Sequence, residues 1–79
     1  MTKLISINKL TAKYDRFDLG VEQVSAPAGT FVAKAVLQIL EQTEKGPQVI
    51  RRSSAYGFGG SLKDAQDDAI VNTIENMGI

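Results

Sequence analysis

Phe31-Val32-Ala33-Lys34-Ala35-Val36-Leu37-Gln38-Ile39-Leu40-Glu41-Gln42 decides the fold, because it reads two ways. As a helix, Val32, Ala35, Val36, Ile39 and Leu40 make one stripe, with Thr30 as cap and Gly46-Pro47 as stop. As a strand, Phe31, Ala33, Ala35, Leu37 and Ile39 line one apolar face, and Val32, Lys34, Val36, Gln38 and Leu40 line a mixed one. Local propensity favours the helix. Thr43-Glu44-Lys45-Gly46 favours the strand, because it makes a hairpin turn into the next segment. Periodicity leaves both readings open.

The segments around it are easier to read. Val49, Ile50 and Tyr56 predict a strand over 48–57, which Pro47 can only begin and Gly57, Gly59 and Gly60 end. Its alternation puts Ile50, Arg52, Ser54 and Tyr56 on one face and Val49, Arg51, Ser53 and Ala55 on the other. Ser61 then caps a helix over 62–77, with Asp64 three residues on as a capping-box partner. Asp64, Asp67 and Asp68 suit the positive end of its dipole. Leu62, Ala65, Ala69, Ile70, Thr73, Ile74 and Met77 form its stripe, and Gly78 is its C-terminal cap. Toward the N-terminus, Leu4–Lys13 reads as a strand with Ile5 and Ile7 on one face. Asp15–Gly20 reads as a connection and Val21–Ser25 as a short strand.

Seventy-nine residues make a single small domain. Nine basic residues balance nine acidic ones, and 43% of residues are hydrophobic, a globular composition rather than a disordered one. No Cys and no His are present, which excludes disulfides, thiolate or imidazole metal ligands and imidazole catalysis. With no His to activate a nucleophile, the expectation is a non-enzyme with no cofactor and no metal. No signal peptide or membrane span is visible, so the expected setting is the cytoplasm, without a membrane partner.

Charge is unevenly spread. One lysine against four acids gives residues 61–79 a net charge of −3, and the first 60 residues carry +3. No acid occurs from Lys45 to Ser61, a stretch that holds Arg51, Arg52, Tyr56 and Phe58. Cations for phosphates beside aromatic rings for bases are what a single-stranded nucleic acid requires. Lys45 and Lys63, at the two ends of that stretch, extend the basic track. The turn Gly57-Phe58-Gly59-Gly60-Ser61 stands between a strand and a helix N-terminus, where amides can hold an anion. It lacks the third glycine of a dinucleotide fingerprint and the Gly-Lys-Ser/Thr of a P-loop. It also reads as a turn that lets the helix fold back on the sheet.

The run from Val36 to Gly78 resembles the core of the single-strand annealing recombinases, the recombination mediators of eukaryotes and phages. The matching residues are Ala55-Tyr56-Gly57-Phe58-Gly59, Lys63-Asp64-Ala65, Asp68-Ala69-Ile70 and Met77-Gly78. Where the helix of that family is basic near its end, this one has Asn72, Glu75 and Asn76. Gly60-Ser61-Leu62-Lys63-Asp64-Ala65 is also similar to the helix start of double-stranded RNA-binding domains. The annealing resemblance implies a β-hairpin followed by a helix across the sheet, single-stranded DNA binding, ring-like assembly and a phage-related origin. It tips residues 31–42 toward strand.

The expected fold is therefore α+β: a small antiparallel sheet of three to four strands with a C-terminal helix packed across one face. The expected function is nucleic-acid binding through Lys45, Arg51, Arg52, Tyr56, Phe58 and Lys63, with Gly57, Gly59, Gly60 and Ser61 as an anion-binding turn. The alternative is a protein-interaction or assembly module. A strand at 31–42 has apolar residues on two faces and one helix covers only one, so a homo-oligomer is expected, through edge pairing or stacking.

Overall fold

The computed structural model describes residues 2–78. In chain order it has α1 (Thr2–Lys13), β1 (Phe17–Val24), β2 (Phe31–Thr43), β3 (Gly46–Gly59) and α2 (Leu62–Asn76). The strands form one antiparallel sheet in the order β1-β2-β3, and α2 packs across one face of it. The fold is α+β.

The 31–42 segment is the central strand. Its partners run from Phe17↔Ile39 to Val24↔Val32 on one side and from Phe31↔Gly59 to Thr43↔Gly46 on the other. Ala33, Ala35, Leu37 and Ile39 are all buried on the helix side. Pairing on both edges, together with this alternating burial, outweighs the local preference for helix. Glu44 and Lys45 make the hairpin turn. Gly46 follows at φ +106, a conformation that a side chain would strain. Thr43 Oγ1 donates to the Gly46 carbonyl at 2.6 Å across the same turn. A bulge between Ile39 and Leu40 leaves Ile50 without a partner.

The core tapers along α2. At its N-terminal half, Ala65 and Ala69 pack on Ala33 and Ala35. Gly57 and Gly59 face the helix there. A Cβ on Gly57 would strike the backbone of Ala65 and Ala69, and one on Gly59 would lie 2.8 Å from the Ala65 nitrogen. Small residues on both elements bring helix and sheet into backbone contact. At the C-terminal half, Leu37, Ile39, Ile74 and Met77 are larger, and Leu10 of α1 completes their cluster. Ser61 Oγ accepts from the Asp64 amide at 3.2 Å, so the predicted N-cap forms. Gly78 takes φ +79, and its N–H donates to the Glu75 carbonyl.

The N-terminal segment corrects the sequence expectation. Leu4–Lys13 is not a strand but most of α1. Ile5 and Ile7 share a strand face by spacing, yet the buried set is Ser6 and Leu10, with Ile7 and Tyr14 half-buried beside them. That spacing of three and four is helical. Leu4 and Ile5 are left exposed. Lys3 Nζ meets Asp67 Oδ1 at 2.9 Å and ties α1 to α2. β1 also begins earlier than expected, at Phe17, because Phe17, Leu19 and Val21 supply its half-buried, core-facing side and Gly20 hides the alternation.

Candidate binding face

Both helices lie on the same side of the sheet, so its other face is open. Register orders that face in four rows across β1, β2 and β3: Val24–Val32–Phe58, Glu22–Lys34–Tyr56, Gly20–Val36–Ser54 and Asp18–Gln38–Arg52. Tyr56 is 51% exposed and Phe58 62%. Lys34 Nζ stands 5.8 Å from the centre of the Tyr56 ring, a cation–π distance. Beside Lys34, the missing side chain of Gly20 leaves a shallow depression lined by Gly20, Val21, Glu22, Lys34 and Val36. Among the described residues the one ion pair is Lys3–Asp67, so Asp18, Glu22, Lys34 and Arg52 have no ionic partner among those residues.

The predicted residues divide between the two faces. Arg52, Tyr56 and Phe58 share the open one. Arg51 points the other way, where Nη2 donates to the Met77 carbonyl at 2.7 Å and Nη1 to the Tyr14 hydroxyl at 2.9 Å. Lys45 sits in the β2–β3 turn, and Lys63 opens α2 on the helix side. Gly57 and Gly59 serve the close approach of α2, and the Ser61 hydroxyl caps that helix. Gly60 is exposed, and a Cβ added there would meet nothing within 4 Å. The Phe58 amide donates to Asp68 Oδ2 at 3.0 Å, which places a carboxylate against this turn.

Sequence reading passed over two features. One is Lys34, whose role depends on its register partner Tyr56. The other is a polar stripe on α2. Asp68 accepts from the Phe58 amide, Asn72 Nδ2 donates to the Tyr56 carbonyl at 3.0 Å, and Asn76 Nδ2 donates to the Ser54 carbonyl at 3.5 Å. Their spacing of four residues is the one available signal. Residues 54, 56 and 58 direct these groups away from β2, so α2 side chains cap the free edge of β3 that another strand would otherwise pair with.

No helix is long and apolar enough to cross a membrane. Among the described residues no acidic cluster is placed to hold a metal ion. The class defined by fold and face is a small α+β protein with a one-sided helical layer and an open aromatic sheet face. No protein-family model matches the chain, and comparison with curated proteins and with solved structures found no match.

Proposed function

We propose that this is a non-enzymatic binding protein that takes single-stranded nucleic acid on the open sheet face, in the cytoplasm and as kin of the single-strand annealing proteins. The observation that carries the reading is the exposure of Tyr56 and Phe58 side by side on the face that also presents Arg52 and Lys34. Two rings one residue apart along a strand stand about 7 Å apart. Successive bases can stack on them, since every base has a π-face. Lys34 lies beside the Tyr56 ring and Arg52 two rows further along the same face, and both neutralise phosphates. Arg51 and the glycine turn are taken up by packing and support the face from behind.

The test is a titration of labelled single-stranded DNA and RNA at low salt. Wild type binds and loses affinity steeply as salt rises, because neutralised phosphates release counterions. The Tyr56→Ala/Phe58→Ala double variant, folded by circular dichroism, binds far more weakly. Equal binding by that variant, or no binding by wild type at tens of micromolar protein, overturns the reading. A second reading, an assembly module, is favoured by the acidic and basic margins of the same face.

A further inference from the structure

We propose that in the absence of other ligands the open sheet face is covered by a second copy of this chain, stacked face to face about a two-fold axis parallel to β2. The inference goes beyond the nucleic-acid reading and does not depend on it.

The edges argue first. Over residues 54–58 the free edge of β3 is occupied by Asp68, Asn72 and Asn76, so edge-to-edge pairing of that stretch is blocked. The opposite edge, β1, carries Asp18 and Glu22, charges that disfavour pairing with another strand. The broadest uncovered surface is the face, with Val24, Val32, Val36, Tyr56 and Phe58 on it; Val49 and Ile50 are exposed toward the β2–β3 turn, and Leu4 and Ile5 on α1.

The charge pattern argues second. On the open face the acids, Asp18 and Glu22, stand on β1, and the cations, Lys34 and Arg52, stand on β2 and β3. A two-fold axis parallel to β2 turns a copy over, sets its β3 above β1 of the first, and keeps the rows aligned. Asp18 then meets the partner's Arg52. Lys34 already leans over Tyr56 toward β3, which brings it under the partner's Glu22 and away from the partner's Lys34. Phe58 meets the partner's Val24, and Tyr56 lies above the depression beside the partner's Gly20. Each of these four charges gains an opposite one, while Arg16 at the end of the face donates to Gln42 Oε1 of its own chain, and each contact occurs twice, as an isologous interface requires. An axis across the strands would instead set acid on acid. The eight-residue stretch over which all three strands are paired presents a face of roughly 14 by 27 Å. That is small for a stable dimer, so association is weak and concentration-dependent.

Sedimentation velocity without nucleic acid tests this, at low salt and from about ten micromolar to about one millimolar chain, the range a small interface implies. Wild type should shift from monomer to dimer across it. Asp18→Arg alone and Arg52→Asp alone should each weaken association by about tenfold or more. The Asp18→Arg/Arg52→Asp double variant exchanges the two charges and should restore it to near wild type. Circular dichroism confirms that each variant is folded. Three results overturn the proposal: a monomer at every concentration, single reversals that associate as wild type does, or a double variant no better than the singles. No oligonucleotide is present, so failure of the nucleic-acid reading leaves this outcome intact, and a monomeric protein leaves the oligonucleotide titration intact.

Discussion

Arg51 Nη2 donates to the carbonyl oxygen of Met77 at 2.7 Å, joining the middle of β3 to the C-terminal end of α2. The same guanidinium reaches the Tyr14 hydroxyl, just past α1, so one side chain holds three elements. Its neighbour Arg52 makes no such contact and stands on the open face. Adjacent residues in a strand point to opposite sides, and here that alternation separates a structural arginine from a surface one.

The two arginines should therefore respond differently. Arg51→Ala should lose about 1–2 kcal/mol of stability, the worth of charge-assisted hydrogen bonds. Arg52→Ala should stay within about 0.5 kcal/mol of wild type, as surface changes do. Urea denaturation of both variants checks this, and equal losses would contradict the division of faces.

Gly57→Ala should be among the most damaging single-methyl additions in the chain. The new Cβ meets backbone of Ala65 and Ala69, which cannot rotate away. Overpacking costs about 1–3 kcal/mol even where side chains can yield. A melting temperature lower by about 10 °C or more is expected for a domain of this size. Gly60→Ala, where nothing lies within 4 Å of the added methyl, should leave the melt nearly unchanged.

Ile74→Ala removes a fully buried side chain from the cluster it shares with Leu10, Leu37, Ile39 and Met77. Buried aliphatic truncations cost about 2–5 kcal/mol. The total stability of a domain this small is itself about 5 kcal/mol. Circular dichroism should show a partly or wholly unfolded protein at 37 °C. A melt within a degree or two of wild type would contradict the placement of this helix face.

Tyr56→Ala and Phe58→Ala should separate binding from folding. Both rings face solvent, so each variant should melt close to wild type. Each should cost about 1–3 kcal/mol of affinity for a single-stranded oligonucleotide, the worth of a stacked base. A large drop in melting temperature would show instead that the rings hold the sheet together.

The sequence by itself determined what depends on neighbours along the chain. The Ser61 cap, the apolar stripe from Leu62 to Met77 and the Gly78 stop specify α2, since all their interactions fall within about four residues. The same holds for the turn before Gly46 and for the opposite facing of Arg51 and Arg52 within β3. Only the tertiary structure decided the rest. The 31–42 segment suits a helix as well as a strand, and becomes a strand because β1 and β3 satisfy its backbone while Leu37 and Ile39 meet Ile74. Leu4–Lys13 carries apolar residues at spacings of two and of three to four, and packing against Leu37, Ile39 and Met77 selects Leu10 and hence the helix. Lys34 gains its place over Tyr56, and Asp68, Asn72 and Asn76 theirs along the edge of β3, from partners 10 to 22 residues away in the chain. Such partners are set by register and helix placement, which no local pattern encodes.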